Sequence, residues 1–250
     1  MKTLARITVL TIVAVVLGLA ATSSVHAIPV IANGGFEAGL TFWTKADQLG
    51  SEGTFFSQSG TASPVNADPV PAPPEGMLAA MTDAPGPGSH VLYQDFAATA
   101  GGAALSFALF IGNRASLEGG FAGFATPASL DFSTPTLNQQ ARVDILKNTA
   151  DPFSVAPADV LANFYQTKAG DPLVSGYNTV TTNITALLAA HVGETLRLRV
   201  STMCASIRSR YRSRRRYCCS VRLWRCSSAG GVEACSRPIV ARQSSPYSAP

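Results

Sequence analysis

The strongest constraint on the fold is a series of short runs in which apolar and polar residues alternate, separated by stretches rich in Gly, Pro, Asn and Asp. A strand points successive side chains to opposite faces, so a period of two marks a strand with one buried face, whereas a helix spaces its apolar residues three and four apart. His90 to Phe96 alternates, with Val91, Tyr93 and Asp95 on one face and Leu92, Gln94 and Phe96 on the other. Leu105 to Ile111 places Leu105, Phe107, Leu109 and Ile111 together and reads as a central strand. Ala141 to Leu146 predicts a half-buried strand, Val143 and Ile145 inward, Arg142 and Asp144 outward. Tyr177 to Ile184 is Thr-rich and β-branched, and Thr195 to Val200 alternates with Arg197 and Arg199 on the polar face. Ile184 to His191, rich in Ala and Leu, predicts one or two helical turns, while Ala158 to Gln166 suits a helix or a strand equally. Many short strands with turn signals between them make a β-sandwich, not a helical bundle.

Charge divides the chain after Thr202. Residues 28–202 hold 7 basic and 14 acidic residues, a net charge of −7, and no cysteine; residues 203–250 hold 10 arginines, a single acid (Glu233) and all five cysteines, a net charge of +9. At the other end, Lys2 and Arg6 precede an uncharged, mostly apolar run from Ile7 to Ala21, and Val25-His26-Ala27 closes it in the small-x-small pattern of a signal peptidase site. Residues 1–27 therefore read as a signal peptide, the alternative being an uncleaved anchor, and Ile28 as the first mature residue. A secreted or cell-envelope location follows, with no stable membrane anchor expected in the mature chain. A 28–202 domain is long enough to rest on its own core.

Two stretches read as loops. Ser63 to Pro74 carries five prolines, each lacking an amide donor, and is expected to wrap the surface in extended form. Arg114 to Thr126 is rich in Gly, Ala and Phe, with Phe121 and Phe124 read as cover for the core.

Asn33-Gly34-Gly35-Phe36-Glu37, followed by Gly39-Leu40 and Trp43-Thr44, resembles the opening signature of exported jelly-roll sandwiches of the galactose-binding-like and carbohydrate-binding-module-like kind. The resemblance continues in order through Gly88 to Phe96, the strand after Gly101-Gly102, Gln140 to Ile145, Ala169-Gly170-Asp171-Pro172 and His191 to Arg199, about residues 30–201 in all. The chain is similar in this respect to bacterial proteins carrying a C-terminal PEP-CTERM sorting signal. The resemblance implies an all-β jelly-roll, with Trp43 in the core behind the first strand. It also implies a structural calcium held in part by Glu37, the metal candidate, although the acidic last-strand partner expected after Val200 has no counterpart here.

From Met203 the pattern stops. Arg, Ser and Cys make up 25 of the last 48 residues, and Arg212 to Arg216 place four positive charges in five positions. One reading is a segment for nucleic acid or an anionic surface, with Tyr211 and Tyr217 for stacking, which export argues against. A second is a disulfide framework, which the odd number of cysteines and the adjacent Cys218-Cys219 make awkward. The third, which we take, is an out-of-frame tail, disordered or poorly structured, that deprives the sandwich of its last strand, leaves an unpaired edge and loses any sorting signal.

No nucleophile elbow, zinc helix motif or phosphate loop accompanies the two mature histidines, His90 and His191, which read as solvated surface residues. Asp83 and Asp95 could form a carboxylate pair of the glycosidase kind, but acids at strand ends are ordinarily solvated and both read so. The expectation is a non-enzymatic surface or matrix protein whose most concrete partner is an extracellular or envelope polysaccharide, without nucleic acid. The runner-up is an accessory domain of a carbohydrate-active enzyme or a weak hydrolase. The expected binding side chains are Tyr93, Asp95 and Arg142, with Phe55 and Phe56 as further aromatic platforms.

Overall fold

The alternating runs become strands because pairing satisfies their backbone groups while one face of each meets an opposing sheet. The computed structural model describes residues 31–83, 86–113, 123–125, 128–134 and 139–204, together with the backbone of Ser220–Ser227. The signal-peptide reading and Phe121 lie outside them.

In chain order the elements are β1 (Thr44–Asp47), β2 (Thr54–Ser59), β3 (Leu78–Asp83), β4 (Gly88–Ala97), β5 (Ala104–Gly112), β6 (Gln139–Lys147), β7 (Val160–Gln166), β8 (Asn178–Asn183), α1 (Thr185–Ala190), β9 (Thr195–Cys204) and β10 (Ser220–Ser227). They form two five-stranded sheets, β1-β4-β9-β6-β7 and β2-β3-β10-β5-β8, and among the described residues every strand pairs antiparallel with its neighbours. The molecule is a jelly-roll β-sandwich. Its core lies between the sheets: Leu92, Phe96, Val143, Ile145, Leu196, Leu198 and Val200 from the first meet Phe55, Ala80, Leu105, Phe107, Leu109 and Ile111 from the second. Each large apolar side chain buried there contributes roughly 1.5–3 kcal/mol before conformational entropy is counted.

Ala158 to Gln166 resolves as strand β7, because pairing with β6 outweighs its helical propensity. Helix α1 forms where expected, Leu188 buried beneath it and Thr185 Oγ1 accepting from the Ala103 amide at 2.9 Å. The Pro-rich stretch crosses the outer side of the second sheet, where Val70 packs with Met81 and Phe110. Trp43 and Phe124 are buried as expected.

Four expectations change. Phe55 is fully buried in the core and Phe56 packs beside Met81, so neither is a free aromatic platform. His90 is not a solvated histidine: it is buried, with Nδ1 2.7 Å from Asp47 Oδ1, while His191 Nδ1 lies 2.9 Å from Glu194 Oε2. Strand β6 is buried on both faces, not half-buried, since Arg142 and Asp144 pair on its outer side and Asn163 of β7 and Arg199 of β9 close on Asp144. The unpaired edge does not occur: β9 runs on through Met203 and Cys204, and β10 lies between β3 and β5, Val221 opposite Thr82 on one side and Ile111 on the other. Cys204 is disulfide-bonded.

Candidate functional site

The opening signature builds a turn. Asn33, Phe36 and Phe42 adopt left-handed φ values of 48°, 60° and 71°, and Gly39 one of 65°. Asn33 stabilises them from the middle: its side-chain amide donates to the carbonyls of Gly39 (2.9 Å) and Thr41 (3.1 Å), and its Oδ1 accepts from Ala38 (3.1 Å). Phe36 and Trp43 stack beneath with ring centroids 5.1 Å apart. Glu37 extends from this turn to the start of β3, where its carboxylate accepts from the amides of Met77 (3.0 and 3.2 Å) and Leu78 (3.1 Å). Gly76 has φ +64°, and an added Cβ there would fall 2.2 Å from Glu37 Oε1. Calcium takes six to eight oxygen ligands. The Glu37 oxygens already serve three backbone contacts, and no group of three His, Cys, Asp or Glu gathers among the described residues. The surroundings of Glu37 fit an amide clamp and not a calcium cage.

Of the three expected binding residues, Tyr93 and Asp95 come together and Arg142 stands apart. Tyr93, Asp95 and Arg197 share the outer face of the first sheet, where β4 and β9 pair Asp95 with Arg197. The Arg197 guanidinium grips Asp95 through two bonds, 2.7 Å from Nε and 2.9 Å from Nη2, and lies 4.1 Å from the centroid of the Tyr93 ring. These Asp95 bonds are the main reason the Arg197 pKa is raised. One face of Tyr93 and both oxygens of Asp95 are thus already engaged.

Arg142 belongs to a second network around Asp144, whose side chain is fully buried. Arg142 donates to it from Nε (3.1 Å) and Nη2 (3.0 Å), Asn163 donates at 2.7 Å, and Arg199 donates from Nε at 3.2 Å and again from Nη2. Arg199 is itself buried, which pulls its pKa below the usual arginine value against the opposing pull of Asp144. It also donates from Nη1 to the carbonyls of Pro152 (2.8 Å) and Ser154 (2.6 Å), and Arg197 donates to Ala150 (3.2 Å). The arginines therefore pin the 148–156 loop over the sheet.

That loop forms one wall of an open cleft of about 560 Å³, lined by Gln48, Ala128 to Asp131, Asp151 and Phe153 to Ala156. The facing wall is held by Gln140, which donates to the Ser129 carbonyl at 2.9 Å, and by Gln48, which accepts from the Phe132 amide at 3.1 Å and donates to Asp131. The Ser133 hydroxyl (2.6 Å) and amide (2.9 Å) also donate to Asp131 Oδ1. The Ser133 hydroxyl and then Gln48 hold the Asp131 carboxyl below the usual aspartate value. Asp151 Oδ1 accepts from the Phe153 amide at 2.7 Å. The cleft thus joins an aromatic ring to carboxylate, amide and hydroxyl groups. Sequence reading missed every residue of it. The available signal was the recurrence of acid, aromatic and serine in two turns, Asp131-Phe132-Ser133 and Asp151-Pro152-Phe153-Ser154.

Neither a family model nor a curated protein matches the chain. Among solved structures, it is similar to TmCBM61 in complex with β-1,4-galactotriose, at 12% identity and a TM-score of 0.44, covering 82% of this chain and 100% of that one. It is also similar to the K3 cleaved adhesin domain of Lys-gingipain from Porphyromonas gingivalis W83, at 9% identity and a TM-score of 0.44 over 82% and 99% of the two chains. A cyclase from Fischerella sp. TAU is similar at 18% identity and a TM-score of 0.42, again over 82% and 99%.

Proposed function

We propose that this chain is a non-catalytic glycan-binding sandwich of the cell surface or extracellular matrix, and that it holds its ligand in the cleft between residues 128–131 and 151–156. The observation that carries this reading is the cleft itself. Its volume of about 560 Å³ falls inside the range of roughly 300–1,000 Å³ usual for small-ligand sites. Phe153 offers apolar area for the C–H face of a sugar ring, and Gln48, Ser129, Asp131 and Asp151 offer hydrogen-bonding groups for its hydroxyls.

Hydrolysis is less well supported. A glycosidase needs one carboxyl raised so that it can donate a proton, and Asp131 is pushed the other way. The Asp83 and Asp95 pair considered from sequence is not assembled. Asp83 is buried in the second sheet, accepting from the Ser63 hydroxyl at 2.6 Å, and Asp95 lies on the first. From Gly88 to Asp95 alone, β4 spans about 23 Å.

Calorimetry of the full chain against neutral and charged oligosaccharides tests the proposal. Saturable micromolar binding is expected, weakened about tenfold by Phe153→Ala with the melting temperature kept. Flat heats across all sugars would sink it.

A further inference from the structure

The cleft has a sign. Among its lining residues the only ionisable groups are Asp131 and Asp151, one on each wall. Each uses one oxygen internally, Asp131 Oδ1 for Gln48 and Ser133 and Asp151 Oδ1 for the Phe153 amide. The second oxygen of each carries no hydrogen bond to a described residue. The nearby described cations direct their hydrogen bonds elsewhere, Arg197 to Asp95 and the Ala150 carbonyl, Arg142 to Asp144, and Arg199 to Asp144 and two loop carbonyls, and Arg197 and Arg199 reach Asp151 only through space, as the smallest of the influences on each. Segment 151–159 adds Asp159, which accepts from the Ser154 hydroxyl at 2.6 Å, and contains no basic residue. Two carboxylates with free oxygens, in an open cleft whose described lining residues include no cation, attract a protonated amine and disfavour an anionic sugar.

Resting on the glycan-binding reading above, we propose that the ligand is a polysaccharide bearing protonated amino groups, with Asp131 and Asp151 as its specificity determinants. Such exposed ion pairs are individually modest and are screened by salt. The preference is therefore a few-fold effect that fades at high ionic strength. Uronate or sulfate groups, bringing like charge to both walls, are disfavoured by a similar factor.

The test is calorimetry of the full chain at about pH 5.5, above the ordinary carboxylate range. The probes are a glucosamine hexasaccharide, its neutral N-acetylated counterpart and a hexagalacturonate. The expected result is binding of the amino hexasaccharide about threefold to tenfold tighter than the neutral one at low salt, convergence of the two at about 0.5 M NaCl, and binding of the uronate a few-fold weaker than that of the neutral sugar. In the Asp131→Asn/Asp151→Asn double variant the ratio of amino to neutral affinity falls to about one, whatever the change in absolute affinity, and a melting temperature kept at the wild-type value shows an intact fold. Asp151→Asn alone, which leaves the Gln48 and Ser133 bonds in place, removes part of the preference. Equal or tighter uronate binding, or an amino preference that survives both substitutions, overturns this inference and leaves glycan binding standing. Absence of binding to all three probes overturns the glycan reading and this inference with it.

Discussion

At the scale of single residues, the opening turn shows why a short motif is informative. Asn33 fills three roles at once: a left-handed backbone position and a side chain that both donates and accepts within ten residues. Asn33→Ala should destabilise the protein by about 2–3 kcal/mol, from lost hydrogen bonds and from Ala in a left-handed conformation. Thermal unfolding would show it, and an unchanged midpoint would refute the role. This motif was legible because it is local, and the burial of Trp43 followed from the resemblance that the motif carries. The clamp role of Glu37 was not, because its partners are the amides of Met77 and Leu78, about forty residues away. Asp131 makes a separate prediction. Since its folded pKa is lowered, its hydrogen bonds stabilise the 131–133 turn above the ordinary aspartate value and are lost as pH falls through the lower folded one. Carboxyl NMR should place its midpoint below that of a free aspartate, and Gln48→Ala should move it upward.

At the scale of elements, alternation located the central strands well, since the inner face of a sandwich strand is apolar whatever covers the other side. Beyond that, the signal fails for a definite reason. Arg197 and Arg199 read as the polar face of their strand, yet both are buried because the 148–156 loop folds back over β9 and takes donors from each. Periodicity records which residues share a face and is silent on a loop that later covers it, so the cleft wall was hidden with it. Arg199→Leu leaves Asp144 with a weaker set of donors and the Pro152 and Ser154 carbonyls without theirs. A loss of about 3–5 kcal/mol is expected, together with faster proteolysis within residues 150–156. Wild-type resistance to the protease in that variant would mean that the loop is held by something else.

At the scale of the whole molecule, two sheets are closed over one core, and the second depends on residues that sequence reading set aside. Composition alone made the segment after Thr202 look foreign to the sandwich, and the alternation of Val221, Arg222 and Leu223 within it is too short to outweigh that. Its strand β10 nevertheless occupies the middle of the second sheet, with β3 on one side and β5 on the other. A chain ending at Cys204 should lose cooperative unfolding and aggregate, whereas one ending at Ser227 should unfold in a single transition; equal behaviour of the two would remove β10 from the fold. The same position has a kinetic side. Chains are made from the N-terminus, and domains tend to fold in that order during synthesis. Here the pairs β2-β3 and β5-β8 can form early, but they stay unjoined, with the facing edges of β3 and β5 bare, until residue 227 is in place. For as long as the chain is incomplete, those two bare edges invite pairing with other chains. The time between making β5 and making β10 is therefore the interval in which this protein depends most on being kept apart from its own copies.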